Sequence, residues 1–365
     1  MKKILTAINE NIIIVKLLFS AEFQTKKICS IQPFSSYYNA YLALMKTALH
    51  GINIVPFSLR YACFADFIWY HWIEKYYRRP YVLPRIKKQV LKGKKIIWNF
   101  HNKIPHGAKD VIKAREFMKT MAFIAHKIVI HCKETTDIIK EICGDVPEIT
   151  DKIVFVPHPN YIDIYGAEEK HNVLQNHKLS LCFFGAVKKY KNIELLISAI
   201  NELNFEDIEI KIIGRCRSKN YARKLKNLIG ENNNIKTDFR FVNDKEIPHI
   251  IANSHLFVLP YDLNSSLNSG ATILAFSYGR SVLSSLTGTL NDIKQKELFF
   301  TYSYNDPSEH KDKLKEQITV IRETYKNNYN ELLKLGGKCK EYVKDNNSIE
   351  QVSKQLTNIF QNGNE

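Results

Sequence analysis

Two glycine-led loops in the second half of the chain carry residue types suited to holding a negatively charged group. The apolar run 179–184 reads as a strand and ends in Gly185-Ala186-Val187-Lys188-Lys189-Tyr190-Lys191, with a helix expected over 192–203. Gly185 permits a sharp backbone turn at the sheet edge. Lys188 and Lys191 then stand where a diphosphate could be paired, the alternative being a solvated surface cluster. The second loop, 264–272, leads through Ser269, Gly270 and Ala271 into an apolar helix. Unpaired N–H groups at a helix start, with no side chain at Gly270, suit an anion; simple capping by Ser269 satisfies the same pattern.

The first half offers imidazoles instead. Strand 95–100 ends in His101-Asn102, with Pro105-His106 following, and His71, His131 and His158 stand at other expected strand ends. A neutral imidazole at the carboxyl end of a parallel strand can hydrogen-bond or shuttle a proton near neutrality. Four such ends point to one common site. The His residues lack helical i, i+4 spacing and neighbouring carboxylates, which argues against a metal set.

These positions need a framework, and the alternation of patterns supplies one. Strands are expected at 27–32, 52–57, 65–72, 95–100, 127–131 and 152–157, with helices between them. A second cycle after the polar stretch 166–178 places strands at 179–184, 208–213, 239–242, 256–259 and 280–284. Helices are expected at 192–203, 221–229, 247–252, from 269, and over 306–327. Ser348 with Gln351 reads as a capping box for a last helix. The fold class is α/β: two facing parallel sheets, residues 1–165 and 166–345, followed by a C-terminal helix in 346–365 that returns towards the first domain. Ligands in such folds occupy the crevice at the carboxyl ends of the strands.

Charge narrows the partners. The 365-residue chain carries 53 Lys plus Arg against 37 Asp plus Glu, a net of +16. Residues 1–165 account for +12 of it, and 75–119 alone hold 14 basic and 2 acidic residues. An excess of this kind seeks a polyanion: nucleic acid, an anionic lipid surface or phosphorylated ligands. Phe67, Trp69, Tyr70, Trp72, Tyr76, Tyr77 and Tyr81 interleave with Arg78, Arg79, Arg85, Lys87 and Lys88, a composition suited to a membrane interface, with Phe67, Trp69 and Trp72 expected in the core. Seven cysteines without zinc-knuckle spacing read as free thiols in a reducing compartment. No apolar run is long enough to span a bilayer, so the chain is expected to be cytoplasmic, with peripheral contact to the inner face of the cell membrane allowed.

The second half resembles the nucleotide-sugar-binding half of GT-B glycosyltransferases, especially family 4. Gly185 and Lys191 fit that family's G-R-x-x-x-x-K-G motif, with Ala186 in place of the Arg and Lys188 as a substitute cation. Ala275, Gly279 and Val282 fit the frame of E-A-x-x-x-G-x-P-V, whereas the E-x7-E glutamates fall on Ser266 and Leu274 and Ser281 replaces the Pro. In the first half, Asn39-Ala40-Tyr41-Leu42 is similar to the N-P-Y-L opening of bacterial polysaccharide glycosyltransferases. Trp98-Asn99-Phe100-His101-Asn102 with Pro105-His106 is similar to the segment holding their active-site His. Residues 157–161 resemble the domain-closing H-P-N-Y segment.

The resemblance implies a transferase moving a sugar from a UDP- or GDP-sugar to a glycan or lipid-diphosphate acceptor in cell-surface polysaccharide synthesis. It implies retention at the anomeric carbon and no metal cofactor. His101 is the catalytic candidate. Gly185, Lys188, Lys191, Ser269, Gly270 and Ala271 are the donor candidates, and Asn39, Tyr41, His71, Trp72, Asn102 and His106 the acceptor candidates. Two other readings compete. A basic nucleic-acid-binding protein fits the charge but lacks a recognition helix, zinc module or RNP-like strand. A sugar-nucleotide epimerase on the same scaffold would need a carboxylate pair in the cleft.

Overall fold

A computed structural model describes residues 27–33, 39–56, 64–105, 108–169, 178–264 and 266–361. Readings placed on 1–25, on His106 and on most of the polar stretch 166–178 lie outside these residues.

The first lobe runs β1 (Ile28–Gln32), α1 (Ala40–Thr47), β2 (Asn53–Pro56), β3 (Phe67–His71), α2 (Val82–Leu91), β4 (Lys95–Asn99), α3 (Val111–Ile124), β5 (Lys127–Ile130), α4 (Glu134–Cys143), α5 (Pro147–Thr150) and β6 (Ile153–Phe155). Its sheet is parallel in the order β2-β1-β3-β4-β5-β6. Every residue of β3, FIWYH, is buried, as expected of a central strand covered on both faces. Phe67 and Trp69 are buried in the core as expected, whereas Trp72 is only half-buried at the strand end and Tyr81 is exposed.

The second lobe contains β7 (Leu179–Phe184), α6 (Ile193–Leu203), β8 (Ile208–Ile213), α7 (Lys219–Ile229), β9 (Ile235–Asp238), α8 (Ile247–Ala252), β10 (Leu256–Leu259), α9 (Gly270–Ser277), β11 (Ser281–Ser285), α10 (Gly288–Asp292), β12 (Phe300–Tyr302), α11 (His310–Asn327), α12 (Glu331–Asn346) and α13 (Ile349–Gln361). The sheet order is β12-β11-β10-β7-β8-β9, again parallel. The architecture is the expected pair of α/β lobes with a C-terminal helix.

Two local expectations are corrected. The strand expected at 239–242 is instead β9, four residues earlier. The apolar spacing of Phe239, Phe241 and Val242 imitates a strand, but those residues form the loop after it. Helix α12 was not anticipated, because Gly336-Gly337 interrupts its propensity. Gly336 is required there: a Cβ on it would lie 2.0 Å from the carbonyl oxygen of Gly279. The glycine lets α12 press against the end of α9.

The last helix joins the lobes. Ser348 Oγ accepts from the Gln351 N–H at 3.3 Å. Helix α13 runs back to the first lobe, where Phe360 meets Phe67 edge-on at 4.9 Å and its carbonyl accepts from Lys27 Nζ at 3.0 Å. Asn347 and Asn160 bind the crossing segments together: Asn160 N–H donates to the Asn347 carbonyl, and Asn347 Nδ2 to the His158 carbonyl at 2.7 Å. Among the described residues no helix is long and apolar enough to cross a membrane.

Candidate active site

On the first lobe, the ends of β3, β4, β5 and β6 bring four imidazoles around Tyr41, which α1 delivers from the opposite side. The Tyr41 ring lies 5.9 Å from His71, 5.6 Å from His101, 5.5 Å from His131 and 5.0 Å from His158. The hydrogen bonds fix tautomers. His131 Nδ1–H donates to the Val156 carbonyl at 2.7 Å, so its Nε2 accepts, from Tyr41 O–H at 2.7 Å and Asn99 Nδ2 at 3.2 Å. His158 Nδ1–H donates to the Pro159 carbonyl, leaving Nε2 as an acceptor. His71 Nδ1 and His101 Nε2 share one proton over 3.2 Å.

Burial holds all four rings neutral. It lowers His71 and His101 well below the ordinary imidazole range, aided by the neighbouring rings, and takes His131 down to about 4 and His158 to about 3. His101 also stacks on Trp72 at 4.4 Å. Asn102 Nδ2 donates at 3.0 Å to Glu74, a fully buried carboxyl whose pKa burial pushes up to about 7. The His71 Nε2 and Asn99 Oδ1 atoms are buried without a hydrogen-bond partner among the described residues, polar atoms ready for a ligand.

Opposite this cluster stands the start of α9. Ser269 caps it by accepting from Thr272 N–H at 3.1 Å, so the serine oxygen is committed to the helix. A Cβ on Gly270 would lie 3.4 Å from the Tyr161 hydroxyl and 3.6 Å from His158 Nε2, which places the helix start directly against the first lobe. Ala271 follows in the first turn. Asn268, in the loop before it, reaches the His101 carbonyl at 3.4 Å.

The third component opens from β7, β8 and β9. A cavity of about 1230 Å³ is lined by Gly185, Lys188, Gly214, Arg215 and Arg217 and extends to Phe241, Val242 and Asp244. Gly185 and Gly214 hold φ of 139° and 140°, which side-chain-bearing residues rarely adopt. Burial lowers the Lys188 pKa, and the charges of Arg217 and Lys191 lower it further, so three cations converge. Lys191 Nζ stands 3.9 Å from the ring centroid of Tyr261, a buried residue just beyond β10. Among the described residues no carboxylate pairs with Lys188, Lys191, Arg215 or Arg217.

The structure thus gathers Gly185 and Lys188 at one cavity of the second lobe, with the Lys191 charge acting on Lys188. It sets Gly270, at the start of α9, against His158 and Tyr161, and brings Tyr41, His71, Trp72 and His101 into one ring cluster, with Asn102 bonded to Glu74 beside it. The Asn39 side-chain oxygen caps α1, accepting from Leu42 N–H at 3.2 Å. His106 lies outside the described residues. The sequence reading passes over Arg215, Arg217 and Asp244. The first two repeat the glycine-then-cations pattern of the β7 loop at the end of β8 and were legible in principle. Glu74 is legible as a strand-end polar residue, but its burial is a product of the tertiary fold.

Two facing parallel α/β lobes with a glycine-and-cation loop system on one and a ring cluster on the other define the GT-B class. Residues 178–319 match the family described as "Glycosyl transferases group 1". The chain is similar to a GDP-mannose:glycolipid 4-beta-D-mannosyltransferase of Xanthomonas campestris pv. campestris, 24% identical over 258 residues, covering 67% of this chain and 69% of the relative. The structure superposes on Anabaena HepE in complex with UDP and glucose at a TM-score of 0.70, with 12% identity and coverage of 92% and 100%. A glycosyltransferase from Rickettsia africae gives a TM-score of 0.68, with 14% identity and coverage of 93% and 100%. The protein is a glycosyltransferase of GT-B fold.

Proposed function

We propose that the enzyme moves a glycosyl group from a nucleoside diphosphate sugar to a lipid-linked glycan at an anionic membrane surface, as a step in cell-surface polysaccharide assembly. The observation that carries this reading is the convergence of Lys188, Lys191 and Arg217, none paired with a carboxylate among the described residues, on the lobe whose α9 start faces His158. As the sugar–phosphate bond breaks, charge grows on the diphosphate. Groups already aimed there stabilise the transition state more than the bound donor, and that difference lowers the barrier. At about 1–2 kcal/mol per aligned contact, three cations supply several powers of ten in rate. They take the part a divalent metal plays elsewhere, so turnover is expected to persist in chelator.

His101, stacked on Trp72, positions the reacting sugars. His158, which faces Gly270, is made a weak base by burial, its pKa lowered to about 3, so the leaving diphosphate oxygen serves as the base for the acceptor hydroxyl on the same face; this reading gives retention. Assigning the product's anomeric configuration by NMR tests it, and inversion would overturn it.

The acceptor reading rests on the rim of the first lobe. Ile112 is 73% and Tyr81 45% exposed there, beside Arg78, Arg79 and Arg85. Arg79 and Arg85 each lie 4.7 Å over a tyrosine ring, Tyr76 and Tyr81. Tyr77 accepts from the Lys109 N–H, which ties this rim to the start of α3 near the cleft. Each such cation near anionic lipid contributes about 1 kcal/mol. The named activity of the Xanthomonas relative, on GDP-mannose and a glycolipid, and the UDP and glucose held by HepE support the donor and acceptor classes. A thermal-shift panel of nucleoside diphosphates and their sugars tests the donor site: selective stabilisation is expected, and no shift with any of them would refute it. Co-flotation with anionic vesicles, reduced in Ile112→Asp, tests the rim; equal binding to oligonucleotides with a steep salt slope would favour the nucleic-acid reading instead.

A further inference from the structure

The cavity that opens from β7, β8 and β9 has a polarity that follows the strand order. Cations line the ends of β7 and β8, the inner strands, through Lys188, Arg215 and Arg217. The loop after β9, the edge strand, contributes Phe241, Val242 and Asp244. Neighbouring strands are about 4.8 Å apart, so the line of this far wall lies about 5 Å from the end of β8 and roughly 10 Å from the end of β7.

That loop region holds three carboxylates, and two are neutralised. Arg240 donates to Asp238 at 2.8 Å and through Nη1 to Glu246 at 2.9 Å. The carboxylate of Asp244, an exposed residue at the rim of the cavity, has no hydrogen-bond or ion-pair partner among the described residues. A carboxylate at the rim of a pocket for a dianion gains nothing from the phosphates and favours a ligand that brings it donors. Phosphates bring none, which leaves the base or the ribose.

Resting on the donor site described above, we propose that Asp244 reads a guanine base, so that the donor is a guanosine diphosphate sugar. Guanine presents two adjacent, parallel donors, N1–H and the N2 amine, which match the two oxygens of one carboxylate in a bidentate pair. Uracil offers a single N3–H between two carbonyl oxygens that a carboxylate repels. Adenine and cytosine set their amine beside a ring-nitrogen acceptor.

Titration calorimetry on the full chain with GDP, IDP, UDP and ADP tests the assignment. GDP is expected to bind at least tenfold more tightly than UDP or ADP, and IDP, which lacks the N2 amine, to fall about tenfold below GDP. Asp244→Asn is expected to lose tenfold or more for GDP, to leave UDP unchanged and to gain affinity for xanthosine diphosphate, whose N1–H and C2 carbonyl suit an amide. Equal affinity for all bases, or an equal loss for all of them in Asp244→Asn as a ribose contact would give, overturns the base assignment while leaving the donor site standing. Failure of every nucleotide to bind overturns both.

Discussion

Gly214 and Gly185 cross so closely at the ends of β8 and β7 that a Cβ on Gly214 would lie 1.9 Å from the Gly185 carbonyl oxygen. Both also hold strongly positive φ. The two loops that carry Lys188, Arg215 and Arg217 are thus set by one backbone contact. Gly214→Ala must move the Gly185 peptide and adopt a disfavoured φ, at a cost of about 2 kcal/mol or more. The expected result is a lower melting temperature together with loss of nucleoside diphosphate binding. Gly337→Ala, where a Cβ meets nothing within 4 Å, is the control and should leave binding intact.

The cation trio yields a graded series. Arg217→Ala and Lys191→Ala should each weaken nucleoside diphosphate binding about tenfold, or about 1.4 kcal/mol. Arg217→Lys should recover part of it, because a point charge remains but the planar fork is lost. Removing Arg217 also removes a repulsion that lowers the Lys188 pKa, so the double loss should fall short of the sum. Calorimetry at two salt concentrations measures both effects. Unchanged affinity in Arg217→Ala would show that the guanidinium is a surface group.

The two sheets were legible because parallel strands buried on both faces leave largely apolar runs such as LSLCFF and FIWYH, whereas the polar edge strand β9 left no such run and was misplaced. The histidine cluster was legible as four strand ends, but the sequence could not say that Tyr41 would tie it together through His131. That contact depends on where α1 lands, a tertiary fact. Asn39, read as a ligand for the acceptor, turned out to cap α1; the residue type serves both purposes, and spacing does not separate them. The unpaired state of Asp244 depends on Arg240 choosing its two neighbours, which no one-dimensional pattern encodes.

Arg280 gives a stability prediction separate from chemistry. Its side chain is fully buried, and burial lowers its pKa to about 10. Nε donates to the Ser254 carbonyl at 2.6 Å and Nη1 to the Gly279 carbonyl at 2.9 Å. The guanidinium therefore joins the approach to β10 with the turn between α9 and β11. Arg280→Met fills similar volume but strands those carbonyls, and should cost about 3 kcal/mol. Urea unfolding measures it. A midpoint unmoved from the parent would show that the buried guanidinium contributes nothing.

The four histidines make stability fall in acid, and the sign follows from their lowered pKa values. In the folded state His131 titrates at about 4 and His158 at about 3, against about 6.5 in the unfolded chain. Between those values the unfolded chain binds more protons, so stability is fully present above pH 6.5 and drains away as the pH drops towards 4. Glu74 acts in the opposite sense. Its pKa is raised to about 7, so its contribution is present below its unfolded value near 4.5 and lost as pH rises through 7. Between pH 7 and pH 5 the histidines outnumber it, and urea midpoints should decline with acid. Glu74→Gln removes the counterweight and should steepen that decline, whereas His131→Asn should flatten it. A Glu74→Gln slope no steeper than the parent's would mean that the buried carboxyl does not take up a proton in this range.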